Sequence, residues 1–301
     1  MERVILEDET LRDGLQLEEK LLSLEEKIRI FHLLVDSGVK RIQVGSFVHP
    51  KVMPQMADTE ELISHARKTS GVLITALILN DKGLERALRS GLNHVSMSVS
   101  ASDSHSRKNT NLSAAEALTS MTGLIKRATA SGLKVRAGVQ CAFGCVYEGE
   151  IAEDKVIGAS EAMASAGAIE LNMADTTGMA NPRQISRMIR RINEVLPDRN
   201  LSLHLHDTRG LGLANMFAGY EAGVRIFDVS TGGLGGCPFV KGAAGNIPTE
   251  DAVNLFSQIN VEVDINLEKL CAVVSNLEKI LGKKLPGRMC QVFQVIKARR
   301  E

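Results

Sequence analysis

A small residue followed by glycine ends a helical pattern at five places in this chain: Ser37-Gly38, Ser90-Gly91, Ser131-Gly132, Ala166-Gly167 and Ala222-Gly223. Each pair is followed within a few residues by a β-like run. Glycine just past a helix supplies the left-handed cap that turns the chain into the next element. Helix, cap and strand in regular repetition is the rhythm of βα units.

Counting the strand-like runs gives eight: Val4–Asp8, Arg41–Gly45, Val72–Leu79, His94–Ser98, Lys134–Gln140, Ala168–Met173, Leu201–Leu205 and Ile226–Ser230. The clearest helical patterns between them are Leu24–Ser37, Ala114–Ser131, Ala152–Ala166, Pro182–Leu196 and Leu213–Ala222. Ser23 with Glu26 predicts a capping box for the first, and Pro182 after Asn181 is a favourable helix start. Eight alternating units predict an α/β protein of the (β/α)8 TIM-barrel class. An open doubly wound sheet is the alternative, but no Gly-x-Gly-x-x-Gly follows the first strand. Thr249–Gln258 reads as the last barrel helix, and Leu267–Leu281 and Met289–Arg299 as additional C-terminal helices. No linker marks a boundary, so residues 1–301 are expected to form one catalytic domain, with the barrel over about 1–260 and a helical tail over 261–301.

Apolar residues make up 44% of the chain and aromatics only 3%, so aliphatic side chains must fill a large core. Lys plus Arg and Asp plus Glu are both 36, which gives no electrostatic case for a nucleic-acid or membrane partner. No apolar run is long enough to span a bilayer, and the N-terminal residues run straight into a strand pattern. Five cysteines in a chain of this length do not make a disulfide framework. A soluble, reduced, cytoplasmic protein is expected.

Active sites of such barrels form at the C-terminal ends of the strands. The reactive residues of this chain cluster there. Strand one runs into Asp8-Glu9-Thr10-Leu11-Arg12-Asp13-Gly14, and strand two ends at Gln43-Val44-Gly45-Ser46. Strand five runs into Cys141-Ala142-Phe143-Gly144-Cys145, and strand six ends at Asp175-Thr176-Thr177-Gly178. Strand eight opens into the Gly-rich stretch Gly232-Gly233-Leu234-Gly235-Gly236-Cys237-Pro238, which continues to Gly245-Asn246. In strand seven, Leu201-Ser202-Leu203-His204-Leu205-His206 alternates apolar and polar, which puts both imidazoles on one face as a ready pair of metal ligands.

Several stretches together resemble the 3-hydroxy-3-methylglutaryl-CoA lyase family: Leu11-Arg12-Asp13-Gly14-Leu15-Gln16, Ser46-Phe47-Val48, Pro54-Gln55-Met56-Ala57-Asp58, Gly144-Cys145-Val146-Tyr147-Glu148-Gly149, His204-Leu205-His206-Asp207-Thr208, Gly235-Gly236-Cys237-Pro238 and Gly245-Asn246-Ile247-Pro248-Thr249-Glu250-Asp251. The likeness runs in order over nearly the whole chain. The wider superfamily of barrel metalloenzymes includes isopropylmalate, homocitrate and citramalate synthases, and Asp8-Glu9-Thr10-Leu11-Arg12-Asp13 looks closer to the synthase wording.

The resemblance implies a divalent metal held by Asp13, His204, His206 and Asn246. A mixed N/O donor set without thiolates suits Mg²⁺ or Mn²⁺, and Zn²⁺ is also compatible. The implied reaction is carbon–carbon cleavage of 3-hydroxy-3-methylglutaryl-CoA or a related acyl-CoA thioester. Arg12 would face the developing enolate oxygen, and Cys237, on a mobile loop, would act as acid/base. Asp175 and Glu250 match residues implicated in activity as orienting carboxylates. Gln16 and Ser46 match substrate-side positions, and Ser106-Arg107-Lys108-Asn109 resembles the segment near the CoA entrance, with Arg107 and Lys108 as phosphate contacts. Cys141 and Cys145 are expected in the pocket wall, and Cys271 and Cys290 in the core. A homodimer is a family expectation.

Three positions depart from the family pattern. Gln43 stands where lyases and synthases carry Glu, and an amide cannot accept a proton. Glu19 replaces a Lys common in the lyases, and Arg209 a Tyr of the vertebrate type. These departures keep two alternatives open: a condensing acyltransferase of the synthase kind, and a catalytically impaired homologue.

Overall fold

Eight parallel strands pair in chain order and the last pairs with the first, closing the barrel that the helix–glycine–strand rhythm predicts. The computed structural model describes residues 2–235 and 244–299. The barrel elements are β1 (Ile5–Asp8), α1 (Leu24–Asp36), β2 (Arg41–Ser46), α2 (Thr59–Ala66), β3 (Leu73–Leu77), α3 (Asp81–Ser90), β4 (His94–Ser100), α4 (Asp103–Thr110), α5 (Ala114–Ala130), β5 (Lys134–Gln140), α6 (Glu153–Ser165), β6 (Glu170–Ala174), α7 (Pro182–Val195), β7 (Asn200–His204), α8 (Gly212–Glu221), β8 (Ile226–Val229) and α9 (Thr249–Gln258). Two further helices follow, α10 (Leu267–Leu281) and α11 (Met289–Ala298). Among the described residues no helix is long and apolar enough to cross a membrane.

Local chemistry sets the helix ends. Ser23 and Glu26 form the expected capping box, and Asn181 accepts from the Arg183 and Gln184 N–H groups ahead of Pro182. The helices α2 and α4 do not stand out in the sequence, and α3 shows only through the Ser90-Gly91 pair that ends it. α4 is polar throughout, Asp-Ser-His-Ser-Arg-Lys-Asn-Thr, and is started by the Ser102 hydroxyl accepting from the His105 N–H. Without an apolar stripe it carries no periodic signal.

Strand alternation divides the side chains. Leu6, Ile42, Val135, Leu171, Leu203 and Phe227 join one apolar cluster with helix residues such as Phe31, Leu34, Ile125 and Ile189. The opposite strand faces meet inside the barrel, and there the contacts are polar. Arg136 on β5 ion-pairs with Glu7 on β1 and with Asp228 on β8. Arg41 on β2 donates to Glu170 on β6 at 2.8 and 2.9 Å, and Thr75 to Glu7 at 2.7 Å. Every charge in this network has an opposite partner, which burial at this depth requires.

The C-terminal segment braces the end of β8. The Gly287 N–H donates to the Gly232 carbonyl at 3.1 Å, and the Arg288 and Met289 N–H groups donate to the Asp251 carboxylate. Cys271 on α10 and Cys290 on α11 are buried, as expected of core residues, but they are joined in a disulfide rather than reduced. Helical spacing within each segment does not reveal that the two helices meet at these positions.

Candidate metal centre and active site

β1 ends in a π-helical turn, Thr10–Gly14, in which the Gly14 and Arg12 N–H groups both donate to the Glu9 carbonyl. The widened turn carries Arg12 and Asp13 over the barrel mouth. Asp8 anchors the turn: its carboxylate accepts from the Thr10 N–H and from the Thr231 and Thr249 hydroxyls at 3.0, 2.7 and 2.9 Å. β7 delivers His204, and His206 lies just past it, bridged in antiparallel fashion to Asn246. The chain returning from β8 must pass close over Asp13. At Gly235, with φ of +93°, a Cβ would stand 2.8 Å from the Asp13 carbonyl oxygen and 2.7 Å from the Asn246 amide nitrogen. Glycine is therefore needed there for both its conformation and its lack of a side chain.

Asp13, His204 and His206 each offer a ligand atom, all within 4.8 Å of one another. The two Nε2 atoms face each other at 3.1 Å. Asp13 Oδ2 accepts from the Asn246 amide nitrogen at 2.7 Å, so the Asn246 oxygen would reach a cation beside Asp13 once the amide turned over. His206 Nδ1 is buried with no partner among the described residues. His204 Nδ1 lies 3.2 Å from Asp228 Oδ2, the arrangement by which a carboxylate orients a metal-binding imidazole. One carboxylate, two imidazoles and a nearby amide fit a divalent cation.

The electrostatics agree. Burial opposes ionisation of Asp13, but Arg12, His204, His206 and the Asn246 amide outweigh it and hold the carboxyl at about 2. Burial, with His204 beside it, presses His206 down to about 3, so its imidazole is neutral and able to bind a metal. Burial likewise disfavours the charged form of His204, but Asp228, Glu9 and Asp13 overcome this and raise it. Burial raises Glu9 against the pull of Arg12.

A cavity of about 390 Å³ opens at this point, lined among others by Glu9, Arg12, Asp13, Gln16, Gln43, His105, Asn109, Gln140, His204, His206 and Asp228. Arg12 donates to Gln43, Asp13 and Glu9. Gln16 donates to Asp13 at 2.6 Å, and Asn109 sits 3.0 Å from a nitrogen of the His105 ring. The remaining sequence-predicted positions lie elsewhere. Ser46 is buried, and its hydroxyl accepts from the Val48 N–H. Lys108 lies over the Tyr147 ring at 3.6 Å, and Arg107 pairs with Asp103. Cys141 and Cys145 are buried outside the cavity lining, and burial pushes the Cys141 thiol up to about 12. Asp175 accepts from the Met179 and Ala180 N–H groups, and burial lifts it to about 6. Glu250 accepts from the Gly232 N–H at 2.9 Å, and burial lifts it to about 8. Neither carboxylate lines the cavity. Cys237 lies outside the described residues.

His105, Arg136, Gln140 and Asp228 are cavity residues outside the motifs, and Glu9 is a cavity residue that lies within a motif but has no role assigned by it. Asp228 carried a readable signal, a charge within the otherwise apolar strand Ile226–Val229, and Arg136 stands between Val135 and Ala137.

A closed (β/α)8 barrel with an Asp–His–His cluster and an arginine at the C-terminal mouth is the frame of a barrel lyase, here one that breaks carbon–carbon bonds. A sequence model of the HMGL-like family matches residues 3–277, and the chain belongs to that family. It is 38% identical over 292 residues to a hydroxymethylglutaryl-CoA lyase of Bacillus subtilis, covering 97% of this chain and 98% of the relative. It is also 38% identical over 297 residues to the (R)-citramalyl-CoA lyase of Chloroflexus aurantiacus, covering 95% and 94%. The crystal structure of a B. subtilis HMG-CoA lyase superposes with a TM-score of 0.94 at 38% identity over 98% of this chain and 99% of that one.

Proposed function

We propose that the protein, with Mg²⁺ or Mn²⁺ bound, cleaves 3-hydroxy-3-methylglutaryl-CoA or a close 3-hydroxyacyl-CoA into an oxo acid and acetyl-CoA. The observation that carries this reading is the meeting of Asp13, His204 and His206 beside an arginine with N–H bonds to spare. These three residues and Asn246 would hold the cation, which when bound supplies a Lewis acid for the substrate hydroxyl. In the cleavage the hydroxyl O–H breaks as its proton passes to the Cys237 thiolate, the O–H electrons form the new C=O, and the C2–C3 pair passes to the thioester as an enolate. Arg12 then donates to the enolate oxygen as its charge grows. Gln43 can donate to or accept from the substrate but cannot take its proton. Proton return to C2 is assigned to Cys237.

The citramalyl-CoA lyase relative supports a second acyl group, since its identity to this chain equals that of the hydroxymethylglutaryl-CoA lyase. None of these relatives is named a synthase, which disfavours the condensing alternative. We place the protein in the cytoplasm as a homodimer. The deciding experiment is a coupled assay of the Mn²⁺-loaded protein on both thioesters. Turnover that chelation abolishes is expected, and no turnover of either would overturn the proposal.

A further inference from the structure

A guanidinium has five N–H donors. In Arg12 the Nε donates to Gln43, one terminal nitrogen to Asp13 and the other to Glu9, which leaves two N–H bonds for a ligand. The three acceptors come from three places: the end of β1, the π-helical turn and β2. Gln43 is the neutral one, and its amide is fixed from the other side by donation to the Ser96 hydroxyl at 3.0 Å. The Glu9 side chain is 1% exposed and lies between two guanidiniums, with Arg136 at 3.7 Å from its second oxygen. It is not needed to finish β1, because the Glu9 backbone N–H bonds the Val229 carbonyl at 2.8 Å and Asp8 ties the strand end to α9. Its carboxyl serves the cavity.

We propose that Glu9 is a positioning residue which, together with the neutral Gln43, fixes Arg12 at the barrel mouth, and that positions 9 and 43 hold between them one carboxyl group that can be exchanged from one to the other. The proposal rests on the cleavage reading, in which Arg12 faces the thioester oxygen. With Glu at both positions, three carboxyl groups would crowd one buried guanidinium. With Gln at both, Arg12 would keep only Asp13 and Arg136 would keep Glu7 and Asp228, and the carboxyl that links the two guanidiniums would be lost. Either change moves or rebalances Arg12, whose buried charge depends on these neighbours.

The test compares Glu9→Gln, Gln43→Glu and the double exchange in the Mn²⁺-loaded protein. Each single change is expected to lower kcat at least about 10-fold. KM should rise in Gln43→Glu, which adds a negative charge facing an anionic substrate, and not in Glu9→Gln. The double exchange should return both constants to within about threefold of the parent, a rescue that a purely structural role for Glu9 does not give. Parent-like kcat in Glu9→Gln, a faster Gln43→Glu, or a double variant no better than the worse single would each overturn the proposal. Glu9→Asp, which keeps the charge but draws it back, replaces Glu9→Gln if the latter does not fold, and should also lower kcat. If the parent cleaves neither thioester, the cleavage reading falls on its own. Titration with malate then decides the exchange: affinity should rise in Glu9→Gln, fall in Gln43→Glu and recover in the double. No malate binding by the parent would overturn the exchange as well.

Discussion

Glu250 offers a stability test that is independent of turnover. Its carboxyl is fully buried, accepts one hydrogen bond from the Gly232 N–H, and has a second oxygen without a partner among the described residues. Burial raises it from its ordinary 4.5 to about 8, against the Gly232 hydrogen bond. The folded protein therefore keeps this proton where the unfolded chain has released it. Unfolding gives up a proton between pH 4.5 and about 8, so stability contributed at low pH is lost as pH rises through that window and changes no further above it. At about 1.4 kcal/mol per pH unit the full loss is about 5 kcal/mol, of which about 2.5 kcal/mol falls between pH 5 and pH 7. Glu250→Gln keeps an oxygen for the Gly232 N–H and removes the ionisation. Urea unfolding of parent and variant at pH 5, 7 and 9, followed by circular dichroism, should show the variant losing that much less stability with rising pH. Equal pH slopes in the two proteins would refute the reasoning, because other titrating groups are common to both.

Two more outcomes follow from the geometry. Asp13→Ala removes the one carboxylate of the cation cluster and should weaken Mn²⁺ binding at least about 100-fold by calorimetry; an unchanged affinity would move the site elsewhere. At Gly287 a Cβ would stand 1.8 Å from Glu250 Oε1 and 3.3 Å from Pro248, so Gly287→Ala should cost about 1–3 kcal/mol in urea unfolding, and no loss would mean the C-terminal segment is not seated against β8.

The barrel was legible because its signal is repeated. Each small-Gly pair closes a helix, and the following apolar run can hardly be anything but a strand, so errors of a residue or two at the ends did not change the count. The polar interior was less visible. Arg136 and Glu170 sit singly between apolar neighbours, Glu7 precedes Asp8 and Glu9, and Arg41 follows Lys40, so a search for apolar runs gives none of them a role. Their meaning depends on strands far apart in sequence meeting across the barrel, as Arg136 and Glu7 do. The Cys271–Cys290 pair fails to show for the same reason: two helical patterns do not disclose their docking.

The site divides along a different line. His204 and His206 were readable as a ligand pair on one strand face, Asp13 was readable only through its motif, and the fold brings the three together. Asp175 and Glu250 were readable only as parts of motifs, and the structure shows which turns their carboxylates hold. Asp175 accepts the two N–H groups of the turn after β6, and Glu250 holds the turn after β8 through Gly232. Each is a buried carboxyl raised by its surroundings, and each shapes a loop at the barrel mouth without lining the cavity. A motif can therefore record the loop that presents the chemistry as faithfully as the chemistry itself. Glu9 is the converse case. It faces the cavity and grips Arg12, but a sequence cannot say that position 9 and position 43, one strand apart, reach the same guanidinium.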